Sequence, residues 1–228
     1  TSGWMDIVTL NTSGGIAGGD RLDLRFSVAR GARATIAAQA AERFYRLVPG
    51  GEASVVRASV DVAAGGAAEW LPQETILFDE CGLDRRLEVS VAGDARFLGL
   101  ETLVFGRAAM GETVATASVR DLIRVRRDGV LLLHDAVRLE GAVDAALRRA
   151  AVAGGCRAVG TVVYVGPDAE ARLDAVRERL GAEAAASAWN GMLIARIVAA
   201  DGAALRRSAT GILSALRDGR PLPRVWMC

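Results

Sequence analysis

The stretch Leu122-Ile123-Arg124-Val125-Arg126-Arg127-Asp128-Gly129-Val130-Leu131-Leu132-Leu133 reads as a β-hairpin. Asp128-Gly129 tolerates the positive φ of a type I′ turn, and apolar residues flank it on both sides. Outward from it, Leu22, Leu24, Phe26 and Val28 alternate with Asp23, Arg25, Ser27 and Ala29, the period of a half-buried strand. Val56, Ala58, Val60 and Val62 repeat the pattern, as do Leu87, Val89 and Val91. Gly31, Pro49-Gly50-Gly51, Gly65-Gly66 and Gly93-Asp94 punctuate the runs. Such spacing predicts a sandwich, a barrel or a helix-like stack of sheets. After residue 157 the character changes. Apolar runs cover 158–165 and 192–199, and Asp168 is placed to cap a helix running to Leu180, with Leu173, Val176 and Leu180 on its inner face. Asp201-Gly202 opens a second helix through Leu216, striped by Leu205, Ile212, Leu213 and Leu216 and stopped by Pro221 and Pro223. The predicted class is α+β, predominantly β: one domain over 1–228, β-rich over 1–157 and α/β over 158–228.

Composition removes most catalytic toolkits. The 228 residues carry 28 basic against 27 acidic side chains, a net +1 that offers no field for nucleic acid or an anionic membrane. Every basic residue is arginine, so a lysine-dependent phosphate loop and Schiff-base chemistry are excluded. One histidine, His134, cannot build a three-histidine zinc site or an HExxH motif. Cys81, Cys156 and Cys228 are odd in number and lack CxxC spacing, which points to reduced thiols in a cytoplasmic setting, with Cys228 exposed and reactive. No run reaches the ~18 apolar residues of a membrane helix. With 51% apolar residues, an exposed apolar surface suited to partner proteins is expected.

Four segments concentrate unusual residues. The first, 11–20, holds the pairs Gly14-Gly15 and Gly18-Gly19 ahead of Asp20; without lysine or a following helix it reads as tight turns rather than a phosphate cradle. The second sets Glu42, Arg43 and Arg46 around Phe44 and Tyr45. The third carries Glu69, Glu74 and Asp79 among bulky apolar residues, where Pro72 argues against a central strand. The fourth carries Glu101, Arg107 and Glu112. Each reads as a strand end with solvated charges. His134 reads as a satisfied, partly buried side chain, and no GxSxG elbow accompanies it. Cys156 stands beside Arg157, a neighbour able to lower a thiol pKa.

Together the motifs NTSGGIAGGDRL (11–22), QAAERFYR (39–46), WLPQETILFD (70–79), LVFGRAAMGE (103–112), RRDGVLLLHDAVRLEG (126–141), SAWNGMLIAR (187–196) and LPRVW (222–226) resemble the urease accessory protein UreD family, called UreH in some bacteria. The resemblance implies a non-enzymatic factor with a stacked, mostly β fold and two helices. It implies binding to urease apoprotein and to a UreF-type accessory protein, and through the complex to a UreG-type GTPase. It also implies help in inserting nickel into urease, by way of an internal passage. A conduit must bind weakly, so carboxylates and water suit it better than clustered His or Cys. No tightly held cofactor is expected, and nickel is at most in transit. The passage candidates inside the motifs are Asp20, Glu42, Glu74, Asp79, Glu101 and Glu112. Ion pairing or interface contact with Arg43, Tyr45, Arg46 or Arg107 is the other reading of the same set. Gly14, Gly15, Gly18 and Gly19 serve as backbone turns.

Two departures qualify the resemblance. Only ten residues precede Asn11, so an N-terminal segment of the family is expected to be missing, and a lost first strand would expose a sheet edge. The residue after Asp79, often Gly in the family, is Glu80, which puts the turn geometry in question. The competing readings are a hydrolase built on His134 or Cys156 and a generic β-rich protein-binding module.

Overall fold

The computed structural model describes residues 3–227; Cys228 lies outside the described residues. The chain winds between two sheets in successive coils. Strand β1 (Met5–Thr9) precedes β2 (Arg21–Val28), which turns into β3 (Arg33–Ala38) and the short β4 (Glu42–Phe44). The second coil is β5 (Ser54–Val62), β6 (Ala67–Leu71) and β7 (Thr75–Leu77); the third is β8 (Gly82–Val91) and β9 (Arg96–Phe105). Strand β10 (Thr116–Arg127) then joins the stack and folds back as β11 (Val130–Ala142). One sheet runs β11-β10-β8-β5-β2, parallel except for β11. In the other, β1, β3, β6 and β9 are parallel neighbours, and β12 (Ala158–Val165), β14 (Met192–Ala199) and β13 (Ala184–Trp189) extend it antiparallel. This is a helix-like stack of sheets, α+β and predominantly β: of the three arrangements the strand spacing allowed, it is the one the family resemblance implied.

The coils repeat at their corners. Val28-Ala29, Val62-Ala63 and Val91-Ala92 each end a strand and open a four-residue turn, closed by Ala32 N to Ala29 O, Gly66 N to Ala63 O and Ala95 N to Ala92 O at 2.9–3.0 Å. The turns also stack on one another, Ala63 N donating to Val28 O and Ala92 N to Val62 O, both at 2.9 Å. The hairpin stands as read: Asp128 (φ 49°) and Gly129 (φ 80°) form its left-handed turn, and a bulge at Val125/Arg126 shifts the register.

Three α-helices occur among the described residues. Helix α1 (Val143–Leu147) follows the hairpin and is too short to leave a periodic signal. Helix α3 (Gly202–Leu216) begins where Asp201 accepts Ala204 N at 2.8 Å, and buries Leu205, Ile212, Leu213 and Leu216 in one apolar core with Leu100, Val162, Leu193 and Ile197 of the sheet beneath it. The helix expected from Asp168 to Leu180 is shorter: a 3-10 turn (Glu170–Arg172) followed by α2 (Leu173–Arg177). Asp168 does not cap it, because its carboxylate is drawn to Tyr164 Oη at 2.7 Å and to Arg172 Nε at 2.7 Å.

The turn after Asp79 keeps a left-handed residue although it is not glycine: Glu80 has φ 59°. A β-carbon there costs about 1–2 kcal/mol. Glu80 is held by Arg46 at 3.2 Å, an exposed pair worth at most about 1 kcal/mol. Glu80→Gly is therefore expected to give a small net gain in stability, below about 1 kcal/mol, in urea denaturation; a clear loss would show the Arg46 pair to be the larger effect.

Candidate functional site

The inward face of β8 reads Leu83, Arg85, Leu87, Val89, and that of β10 reads Val119, Asp121, Ile123, Val125. Arg85 and Asp121 are the charged members of otherwise apolar rows, and the fork between them is bidentate: Nε to Oδ1 at 2.8 Å and Nη2 to Oδ2 at 2.7 Å. Arg85 Nη1 also donates to Thr75 Oγ1 at 2.7 Å and lies 2.6 Å from Glu101 Oε2. That last contact is an ion pair, and Glu101 Oε2 has no hydrogen-bond partner. Trp70 Nε1 donates to Glu101 Oε1 at 2.8 Å. Burial pushes the Glu101 carboxyl up; Arg85 opposes the shift and the Asp121 charge adds to it. Burial also works against the Arg85 charge, but Asp121 and Glu101 outweigh it and its pKa rises.

This cluster forms the floor of a cavity of about 320 Å³ between the two sheets, with Trp70, Thr75, Arg85 and Glu101 in its lining. Leu22 and Leu24 of β2 and Val56 and Ala58 of β5 make an apolar wall, and Asn11, Thr12 and Glu42 stand at the rim. Glu42 is half-buried and accepts Asn11 Nδ2 at 2.9 Å. Burial pushes its carboxyl up, with Asn11 and Arg43 in partial opposition.

Of the six carboxylates singled out from the sequence, the cavity brings together Glu42 and Glu101. Glu101 is no solvated strand end: it sits in the middle of β9 and is 5% exposed. The other four are engaged elsewhere. Glu74 pairs with Arg206 at 3.0 Å and Glu112 with Arg107 at 2.6 Å. Asp20 accepts Ala17 N at 2.8 Å, closing the Gly18-Gly19 turn, and Asp79 accepts Thr116 N at 3.0 Å. Arg43 is exposed on β4. Arg107 lies over the Phe78 ring, 4.1 Å from its centroid, and Tyr45 meets the same ring edge-on at 5.1 Å.

Tyr45 also explains one glycine. Its hydroxyl donates to Gly14 O at 2.8 Å, which brings its ring so close to Gly15 that a β-carbon there would lie 2.5 Å away. Gly14 and Gly19 have φ of 77° and 84°, and a β-carbon on Gly18 would lie 2.6 Å from the Leu47 side chain.

Arg85, Asp121, Trp70 and Thr75 escaped the sequence reading. The signal was available: carrying the Leu87-Val89-Val91 alternation back one step puts Arg85 on the buried face, and the same parity puts Asp121 with Val119 and Ile123. His134 is exposed on the outward face of β11 rather than partly buried, with Arg124 beside it. The Arg157 guanidinium lies 3.7 Å from Asp144. Neither His134 nor Cys156 lines the cavity. Among the described residues no group of three or more His, Cys, Asp or Glu is placed to hold a metal ion, and no helix is long and apolar enough to cross a membrane.

Coiled parallel strands, helices packed on one face and a charged cluster under an internal cavity define the class: a stacked-β protein with a polar-floored cavity. Comparison with known proteins narrows this. The family model described as UreD urease accessory protein matches residues 1–227. The chain is 47% identical over 227 residues to the urease accessory protein UreD of Methylobacterium sp. (strain 4-46), covering 96% of this chain and 79% of that protein. It is 48% identical over 224 residues to that of Cereibacter sphaeroides (97% and 80%), and 44% over 223 residues to that of Rhizobium leguminosarum bv. viciae (97% and 81%). The chain belongs to the UreD urease accessory protein family, and with it to urease maturation.

Proposed function

We propose that the chain is a non-catalytic maturation scaffold. It binds urease apoprotein and a UreF-type accessory protein, joins a UreG-type GTPase through that complex, and lets nickel pass toward urease through the cavity between its sheets. The observation that carries this reading is the pairing of Glu42 at the rim with Glu101 at the floor of one cavity. Both carboxyls are partly or wholly desolvated and neither is gathered with His or Cys, so a borderline cation would be held loosely and released. The exposed Met5, Val8 and Leu10, on and just after the edge strand β1, offer apolar contact surface for a partner.

The test is co-expression with the cognate urease and its accessory proteins, followed by native sizing and nickel analysis of the urease. The wild-type chain is expected to comigrate with urease and the UreF-type partner. Glu42→Gln and Glu101→Gln remove charge at nearly constant shape; they should leave the complex intact and lower the nickel content of urease severalfold. Failure to comigrate would overturn the scaffold. An intact complex with undiminished nickel in the double variant would overturn the passage.

A further inference from the structure

The motif LPRVW (222–226) lines no part of the cavity, yet it packs against the segment that does. Pro72 has no N–H and ends β6, so the ladder does not continue through residues 72–74, of which Pro72 and Gln73 line the cavity. Among them, Glu74 O accepts Glu42 N at 2.9 Å. Gln73, 6% exposed and part of the cavity lining, has both ends of its amide taken from outside: Nε2 donates to Val225 O at 2.6 Å and Oε1 accepts Arg206 Nη1 at 2.6 Å. Arg206 also pairs with Glu74 at 3.0 Å, stacks on the Trp226 ring 4.8 Å from its centroid, and donates to Trp226 O. Trp226 is buried and donates through Nε1 to Leu71 O at 3.0 Å. Arg217, at the end of α3, binds Pro221 O and so anchors the start of the same tail.

We infer that residues 221–227 form a strap that positions the cavity wall: Trp226 and Arg206 fix Gln73, and through it hold the segment between Trp70 and Thr75 closed around Glu101. Arg206, Trp226 and Gln73 are positioning residues. Arg206 and Trp226 lie outside the cavity lining and act on the passage through Gln73, whose amide Arg206 and Val225 O hold. Covalent neighbours Trp70 and Thr75 both reach the charged floor, Trp70 through Glu101 and Thr75 through Arg85, so movement of 71–74 is transmitted to it directly.

This inference rests on the passage reading, and the test separates the two. Arg206→Ala and the milder Trp226→Phe, which keeps a ring but loses the donor to Leu71 O, are co-expressed with urease and its accessory proteins. Amide exchange is measured across 73–75, and urease nickel loading is followed against nickel concentration, per assembled complex. Both variants are expected to assemble, to exchange faster at 73–75, and to need about tenfold or more nickel for half-maximal loading, as small displacements around a reaction path commonly cost. Faster exchange with an unchanged nickel dependence would overturn the strap as a positioning element, and so would unchanged exchange in both variants. If Arg206→Ala fails to assemble, Trp226→Phe alone decides. Glu101→Gln is run alongside: if it lowers loading while the strap variants do not, the strap inference falls and the passage stands; if it has no effect, the passage itself falls.

Discussion

Arg85→Ala is expected to lower stability by about 3–5 kcal/mol at neutral pH, the range for removing one partner of a buried ion pair. Two carboxylates, Glu101 and Asp121, would be left at 5% and 9% exposure without the guanidinium that neutralises both. Thr75 would lose its donor as well. The sign with pH follows from Glu101. Its carboxyl already sits above its ordinary range because of burial, and loss of Arg85 raises it further. A carboxyl whose folded pKa lies above its unfolded value works against folding once ionised, so the deficit is largest at neutral pH and shrinks as the pH falls through that folded pKa. Chemical denaturation of wild type and variant at pH 7 and pH 5 reads both effects. A loss below about 1 kcal/mol, equal at the two pH values, would mean that the cluster is solvated and not the buried floor described above.

Glu69 marks the opposite case. It is 2% exposed in β6 and accepts from Thr35 Oγ1 at 2.7 Å, from Arg217 Nη2 at 2.9 Å, and from Arg220. Burial alone would raise its carboxyl, but the hydrogen bonds from Arg217 and Arg220 overcome it and the pKa falls below the usual value. Glu69 therefore contributes stability that is complete above the unfolded carboxylate pKa and is lost as the pH drops through the lower folded one. Glu69→Leu is expected to cost about 3–5 kcal/mol at pH 7, chiefly because Arg217, 3% exposed, is stranded. The double variant Glu69→Leu with Arg217→Met should recover at least half of that loss, since apolar groups of similar volume replace a buried pair well. No recovery in the double variant would show that Thr35 and Arg220, not the pair, set the cost.

What could be read in the sequence follows from which faces water touches. The outward faces of β2, β5 and β8 are solvated, so their polar and apolar residues alternate and the strands were plain. Strand β6, Ala67–Leu71, is buried along its whole length, and β9 nearly so, because α3 and the strap cover the outside of their sheet; alternation is absent there, and Glu69 and Glu101 lost the context that would have marked them as buried. The hairpin at Asp128-Gly129 was legible because its partners are adjacent in the chain. The parallel pairing of β2 with β5, and of β5 with β8, leaves no such signal, and strand spacing alone allows sandwich, barrel or stack, since no local rule sets which distant strands meet. For the site, motif membership supplied six carboxylates but could not separate Glu42 and Glu101, which share a cavity, from Asp20, Glu74, Asp79 and Glu112, which tie down turns and arginines. The Asp168 helix was overextended because a strong side-chain partner, Tyr164, lies one turn earlier on a strand.

The corner turns stacked at Val28, Val62 and Val91 carry a kinetic consequence. Each parallel ladder joins segments one full coil apart, so its closure entropy must be met before any contact rewards it, and folding by such pairing is slow. In the sheet of β2, β5 and β8 the β10–β11 hairpin is the pairing that is cheap to close, as β13–β14 is in the other sheet, and β8 can add to it in register. Growth from that seed toward β2 would leave the cavity end, at Leu22 and Leu24, the last part of the molecule to assemble. During synthesis β2 emerges before β5, β8 and the hairpin, and it must wait for them.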